Sequence, residues 1–183
     1  MEKTLQKTVL KISKEAAFIL LAVASAVILP QIFHGVGILF GIGGTLGQIF
    51  LPMYIPVLIF GFYRGPIPGA IAGLLSPLVS FAITAMPLAN VLPYITVELI
   101  ATGLLAGAFS NVKWHPVLRV LSVQIIAKVI RVALLASTLY FANTAITATA
   151  LFAGILTSVP GVVIQLALVS YLIVKKEKER NAQ

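Results

Sequence analysis

Six long apolar stretches constrain this chain more than any other feature of its sequence. A helix needs about 20 mostly apolar residues to cross the hydrocarbon core of a bilayer. The pattern therefore predicts six membrane-spanning helices, at about Glu15–Leu29, Phe50–Tyr63, Pro66–Thr84, Leu92–Phe109, Pro116–Phe141 and Ala148–Val174. Only 10% of the 183 residues are charged, whereas a soluble domain carries about 25%. We expect an all-α membrane protein in which residues 1–183 form one domain, a single bundle of six transmembrane helices.

The basic residues follow the order of the predicted spans. Lysine and arginine occur before the first span, in every second connection and after the last span, whereas the connections 31–49, 85–91 and 142–147 contain none. Because basic residues accumulate in cytoplasmic loops, this alternation places both termini in the cytoplasm, with basic tails at residues 1–14 and 175–183. The same rule explains the formal charge of +8, so we expect a multi-pass protein of the lipid bilayer and no binding of nucleic acid.

The sequence lacks the residues that most catalytic and metal sites require. It contains no cysteine and no aspartate, which excludes disulfides, thiolate ligands and cysteine nucleophiles. His34 and His115 stand alone and lack the spacing of metal ligands. No phosphate-binding loop ending in Gly-Lys-Ser/Thr occurs, so an ATP site on this chain is also excluded. We expect no catalytic residue, no metal, no cofactor and no enzymatic activity.

The amino-terminal region permits a second interpretation. Lysines followed by an apolar run and by Ala24–Ala26 resemble a secretory signal peptide with a small-residue cleavage site. Removal of this segment would leave five spans, although the alternation of charge requires an even number. We therefore favour a retained first span that ends at Pro30.

Two cations, Lys128 and Arg131, are not explained by the alternation of charge. They lie in the middle of the fifth predicted span, where a charge costs roughly 2.5–3.5 kcal/mol on insertion scales and usually faces the bundle interior or a cavity. Gln124 precedes them at a spacing of i, i+4 and i+7, which places all three side chains on one helix face. Glu98, on the fourth span, is the only acidic residue in the interior of a predicted span, since Glu15 is the first residue of its span.

Two interpretations of these charges stay open from the sequence. Glu98 can pair with Arg131 and fix the register of two helices, or the two cations can form one wall of a pocket in the outer half of the bundle. One carboxylate leaves one of the two cations without a partner, and an unpaired buried cation is costly unless an anion binds it. We therefore predict a pocket for an anionic or acceptor-rich solute, formed by Lys128, Arg131, Glu98, Gln124, Asn90, Tyr54 and Gln48.

Glycine recurs at helical spacing in the middle of the chain. It occupies every fourth position from Gly61 to Gly73, and again Gly103 and Gly107. Such spacing allows membrane helices to approach closely. The connection 31–49 is also rich in glycine, but it has no helical pattern and no lysine, arginine or acidic residue. We expect it to be a long loop that lies at the membrane interface or folds over the bundle.

The segment Leu46–Gly107 contains the motifs "FLPMYIPV", "GPIPGAIAGLLSPLVSF" and "LPYITVEL". In these motifs the chain resembles the substrate-binding S-components of energy-coupling factor (ECF) vitamin transporters, and the resemblance extends by topology to the full length. It implies a six-helix protein in the plasma membrane of a prokaryote that binds a vitamin with high affinity near its outer side. It further implies docking onto a transmembrane coupling protein with two cytoplasmic ATPase subunits, which together form an ABC-type importer.

The resemblance also implies roles for particular segments. Small residues of the first helix contact the coupling protein in this family, and Ala22 and Ala26 are matching positions; the loop 31–49 would gate the pocket. With the excess positive charge, the resemblance indicates an anionic vitamin, and pantothenate is the best single candidate. The alternatives left open are a neutral vitamin of pyridoxine, hydroxymethylpyrimidine or cobalamin type, a standalone secondary transporter, and a structural membrane protein.

Overall fold

The computed structural model describes residues 2–42, 45–142 and 156–182, and within these ranges the chain is helical and contains no strand. A short 3₁₀ turn at Phe109–Asn111 follows α5. The α-helices whose bounds lie within these ranges are α1 (Glu2–Leu39), α2 (Thr45–Phe50), α3 (Tyr54–Arg64), α4 (Pro66–Thr84), α5 (Leu92–Ala108), α6 (Pro116–Ala142) and α7 (Val159–Asn181). Six helical segments are long and apolar enough to cross a membrane, with α2 and α3 together forming the second.

The all-α class and the six membrane-spanning helices predicted from the sequence are confirmed. Large apolar side chains remain exposed on the outer faces of the helices, among them Leu20, Ile67 and Val129. Such faces suit contact with lipid rather than water. The predicted start of the sixth span at Ala148 lies outside the described residues, and α7 continues past the predicted end of that span to Asn181.

The first helix is much longer than predicted, and the prediction of a loop at 31–49 is wrong. α1 continues through Pro30 to Leu39, and α2 occupies the second part of the predicted loop. Proline removes one helical N–H donor, but in lipid no water is available to satisfy an unwound backbone, so a helix continues through it. The added turns pack on α2, with the rings of Phe33 and Phe50 5.4 Å apart.

The second span is interrupted between α2 and α3. Leu51 adopts a left-handed conformation with φ of 46°, and the following Pro52 has no N–H to donate. The carbonyl oxygen of Leu51 accepts a backbone hydrogen bond of 3.1 Å from the N–H of Tyr54. Gln165 of α7 also bonds to the break, because its Nε2 atom lies 3.1 Å from the carbonyl oxygen of Leu51 and 3.4 Å from that of Phe50.

Glycine brings α4 and α5 into backbone contact, as its spacing predicted. A Cβ atom added at Gly69 would overlap the carbonyl oxygen of Gly103, and one added at Gly73 would overlap that of Leu99. Only glycine allows this approach, since any side chain would push the helices apart. The contact fixes the position of the first half of α5, which carries Glu98.

The bundle has two chemically different ends. At the basic end, Glu15 of α1 pairs with Arg64 at the α3–α4 junction, and Arg119 of α6 pairs with Glu177 of α7. The uncharged end contains the last turns of α1, α2, the α4–α5 connection and the first turn of α7. Both terminal helical segments therefore lie at the basic end, while its predicted orientation toward the cytoplasm stays a prediction.

Candidate functional site

A buried ion cluster joins three helices in the half of the bundle near the uncharged end. Glu98 of α5 is 1% exposed, and its Oε1 atom lies 3.3 Å from Lys128 Nζ. Its Oε2 atom lies 2.9 Å from Arg131 Nη1 and accepts a hydrogen bond of 2.7 Å from the Tyr54 hydroxyl of α3. These four residues are called the Glu98 cluster below.

The cluster resolves the question that the sequence left open about pairing. The pairing that the sequence allowed between Glu98 and Arg131 is present. The expectation that one of the two cations would lack a partner is corrected, because the single carboxylate uses its two oxygens to serve both. The cluster nevertheless keeps one positive charge in excess, and a buried charge without compensation attracts an anion or a strong acceptor.

The local geometry follows from helical spacing. Lys128 and Arg131 are three residues apart on α6, so their side chains project from neighbouring turns of one face. Glu98 lies six residues into α5, which is about 9 Å from its first residue at 1.5 Å per residue. At this depth water is scarce and an ion pair interacts more strongly than it does at a surface. The three side chains therefore hold α5 and α6 in one register.

A cavity of about 340 Å³ opens next to the cluster at the uncharged end. This volume is at the lower limit of the range of small-molecule sites. Most of its wall is apolar. Helices α1 to α7 or the segments beside them all contribute to its lining: α1, α2 and the break after it, α3, α4 and the α4–α5 connection, α5, α6 and the residues just before α7. The apolar lining residues include Pro30, Leu51, Met53, Met86, Leu88, Val91 and Ile95.

Arg131 and Tyr54 belong to both the cluster and the cavity wall. A guanidinium group has five N–H donors, and its contact with Glu98 uses Nη1. Donors therefore remain for an acceptor in the cavity. The excess charge of the cluster is presented to the cavity through Arg131, whose side chain is 29% exposed, whereas Glu98 is buried behind it.

The predicted site residues divide into three groups. Arg131, Tyr54 and Gln48 line the cavity. Lys128 and Glu98 lie behind that wall and act on the cavity through their contacts within the cluster. The remaining two, Gln124 and Asn90, are absent from the cavity lining.

The last two positions lie away from the cavity. Gln124 is buried one helical turn from Lys128, and its Nε2 atom has no partner among the described residues. Asn90 is exposed, whereas its neighbours Leu88 and Val91 line the cavity. Neither side chain is in place to contact a solute in this cavity.

Ala22 and Ala26, the expected contacts for a coupling protein, lie inside the bundle. Both are fully buried within the chain. Ala26 packs in a cluster with Tyr54, Val57 and Leu99. Their small side chains allow α1 to pack closely on the bundle, so neither is available to a partner in this arrangement.

Five polar residues of the cavity wall were missed from the sequence: Gln31, His34, Ser80, Thr157 and Ser158. Gln31 and His34 lie one turn apart on the part of α1 beyond Pro30, where a loop was predicted. The Gln31 Nε2 atom is buried and has no hydrogen-bond partner among residues 2–42, 45–142 and 156–182. Had the helix been predicted to continue past Pro30, the helical spacing would have placed Gln31 and His34 on the same face as Pro30. That face lines the cavity.

No family model, curated protein or solved structure matches this chain. Among the described residues, no group of three potential metal ligands lies together. The features of the candidate site are therefore the cavity, its apolar wall, and the Glu98 cluster at its floor.

Proposed function

We propose that this chain is the substrate-binding S-component of an ECF-type importer and binds a small anionic vitamin, with pantothenate as the first candidate. The observation that carries the proposal is Arg131 at the floor of an otherwise largely apolar cavity. The cluster behind it contains two cations and one carboxylate. A carboxylate or phosphate on the solute would balance the remaining charge and form charge-assisted hydrogen bonds, which are stronger than neutral ones.

The cavity suggests how such a solute binds. Its acidic group accepts from the guanidinium donors of Arg131 that Glu98 does not use. Its apolar part lies against Met53, Val91 and Ile95, which line the wall above. The amides of Gln31 and Gln48 supply hydrogen bonds to hydroxyl or amide groups of the solute. A volume of about 340 Å³ favours a compact vitamin over a corrinoid of cobalamin type.

The proposal divides the work of transport among several proteins. This chain binds the solute, and the energy comes from a transmembrane coupling protein with two ATPase subunits. The resemblance of Leu46–Gly107 to S-components and the absence of an ATP-binding motif in the sequence support that division. The proposed location is the plasma membrane of a prokaryote, with both termini in the cytoplasm.

A neutral vitamin is the second candidate. It is favoured by the fact that the Glu98 carboxylate already has its full set of partners within the protein. The carboxylate already interacts with Lys128, Arg131 and Tyr54, so the cluster can act as a structural link between helices. In that case, the amides and the imidazole of the cavity wall would select a pyridoxine- or hydroxymethylpyrimidine-like solute. Anionic and neutral solutes are distinguished by the same experiment.

That experiment is mass spectrometry of the small molecules released from the purified protein. Wild type, Arg131→Gln and the control Lys113→Gln are compared, because Lys113 lies in the α5–α6 connection away from the cavity. We expect an anionic vitamin in wild type and in the control, and its loss from Arg131→Gln. A neutral vitamin retained by all three proteins would replace the proposal with the second candidate.

A standalone secondary transporter is favoured by one feature, the break between α2 and α3 beside the cavity. Discontinuous helices at the substrate site are common in such transporters. Uptake of the released vitamin is measured in cells that produce this chain with and without an ECF coupling module. The proposal predicts uptake only with the module. Equal uptake without it would assign the chain to secondary transport.

A further inference from the structure

A second cavity lies at the basic end, far from the candidate vitamin site. It measures about 250 Å³ and is called the basic cleft below. Its walls come from the α3–α4 junction, the 3₁₀ turn after α5 and the last turns of α7. Three cations line it, namely Arg64, Lys176 and Arg180, with Glu177 as the only acidic residue of its lining.

Two carboxylates near the cleft are already engaged. Glu177 pairs with the buried Arg119, and Glu15 pairs with Arg64 through both Nε and Nη2. Glu179 lies near the lining residue Tyr63. Four cations therefore meet three carboxylates around this cleft, and the surplus of one positive charge favours the binding of an anion.

Several donors in the cleft remain free. Lys176 Nζ donates to the carbonyl oxygens of Phe62 and Tyr63 at 3.2 and 3.4 Å, which uses two of its three N–H groups. Arg64 keeps its Nη1 group. Arg180 forms no ion pair or hydrogen bond with any described residue. An acceptor with several oxygens would use donors from two helices at once.

The level of the cleft in the membrane indicates where that acceptor comes from. Three aromatic side chains near the basic end, Tyr63, Trp114 and Tyr171, are exposed on the bundle surface. Tyrosine and tryptophan concentrate at the boundary between hydrocarbon and headgroups. Phospholipid phosphates lie at this same level, and basic pockets between helices on the cytoplasmic side bind acidic headgroups.

We propose that the basic cleft binds the phosphate group of an anionic phospholipid, with Arg180 and the free donors of Arg64 and Lys176 as its ligands. A headgroup without a cation, as in phosphatidylglycerol, fits a surplus of positive charge. The choline of phosphatidylcholine would be repelled by the same cations. The site is independent of the proposed vitamin binding, since no residue lines both cavities.

The test is native mass spectrometry of the full chain, released from detergent with short-chain phosphatidylglycerol, phosphatidylcholine or inorganic phosphate. Arg180→Gln is compared with Lys178→Gln, which removes one charge from the same end of α7 but does not line the cleft. We expect wild type and Lys178→Gln to retain phosphatidylglycerol at least about fivefold better than phosphatidylcholine, because the cations of the cleft repel the choline group. Arg180→Gln should lose this preference.

Three results would overturn the proposal. Equal retention of the two lipids by wild type would remove the preference for an anion. Equal loss in Arg180→Gln and Lys178→Gln would reduce the effect to net charge. Competition by inorganic phosphate at the lipid's own concentration would assign the cleft to free phosphate rather than to a lipid. Because Arg180 is exposed, Arg180→Gln should fold, and its helical content by circular dichroism checks that.

Discussion

The two ends of the bundle use the same kind of ion pair for different purposes. At the basic end, Arg64 pairs with Glu15 and Arg119 pairs with Glu177, so each cation has its own carboxylate. Near the uncharged end, Lys128 and Arg131 share Glu98, well inside the membrane-spanning part of the chain.

The difference shows which arrangement of charged residues indicates a candidate site in a membrane protein. One-to-one pairs near helix ends link neighbouring segments, and each pair is neutral in itself. A two-to-one cluster within the membrane keeps an excess charge where it is costly, and here a cavity adjoins it. The comparison suggests that stability depends most on the carboxylate of the deep cluster and binding on its exposed cation.

The largest effect should follow from removing the carboxylate of the deep cluster. Glu98→Gln leaves Lys128 and Arg131 without a counter-charge, and breaking a buried ion pair in this way costs about 3–5 kcal/mol. Glu15→Gln is the matched change at the basic end, where the pair is partly exposed and worth roughly 0–1 kcal/mol. Thermal unfolding in mild detergent should show a much larger decrease in the midpoint for Glu98→Gln. Equal decreases would break the distinction between the two ends.

The next effect concerns the helix contact that positions Glu98. Gly73→Ala places a Cβ atom against the carbonyl oxygen of Leu99 and forces α4 away from α5, at a cost of about 1–3 kcal/mol for overpacking. Gly35→Ala, on α1, meets no atom within 4 Å and serves as the control. The unfolding midpoint should decrease for Gly73→Ala alone. An unchanged midpoint would mean that the α4–α5 contact does not hold the cluster in place.

A smaller effect is expected at the break that borders the cavity. Gln165→Leu removes the hydrogen bonds to the carbonyl oxygens of Phe50 and Leu51. The Leu51 oxygen keeps its bond from the N–H of Tyr54, but the Phe50 oxygen loses its donor, and an unsatisfied buried acceptor costs about 1–3 kcal/mol. Gln124→Leu is the control, because the buried amide nitrogen of Gln124 has no described partner to lose. Unfolding of the two variants is compared with that of wild type. If Gln124→Leu proves the more destabilising change, the role given to Gln165 is wrong.

The smallest effect on stability should come from the cation that faces the cavity. Arg131→Gln leaves Glu98 paired with Lys128 and bonded to Tyr54, so the loss should stay near 1 kcal/mol, as for a partly exposed pair. The unfolding midpoint is measured without ligand. A decrease as large as that of Glu98→Gln would make Arg131 a structural residue and remove the contrast between carboxylate and cation.

The sequence predicted the parts of the fold that depend on lipid. Apolar length defined the six spans, and the helical spacing of Lys128 and Arg131 identified the face that meets Glu98. The break after Phe50 and the course of the chain beyond Pro30 depend on tertiary contacts, above all on Gln165 and on the packing of Phe33. Local signals from proline and glycine pointed to a loop there.

The same limit explains which site residues were missed. Gln31 and His34 face the cavity only because α1 continues as a helix past Pro30. Asn90 was included because of its polarity, but in this irregular connection its apolar neighbours Leu88 and Val91 line the cavity and Asn90 does not. The small side chains of Ala22 and Ala26 allow α1 to pack closely on the bundle. Close packing within the chain and contact with a partner protein give the same pattern of small residues in the sequence.

The most direct measurement of the central claim is the affinity of the purified protein for the vitamin acid that it releases and for the primary amide of that acid. Titration calorimetry gives both dissociation constants for wild type and for Arg131→Gln. A charge-assisted hydrogen bond contributes about 1.5–3 kcal/mol, so wild type should bind the acid roughly 10–150 times more tightly than the amide. Arg131→Gln should lose that preference. Equal affinity of wild type for acid and amide would contradict the account and leave the Glu98 cluster as a structural link between helices.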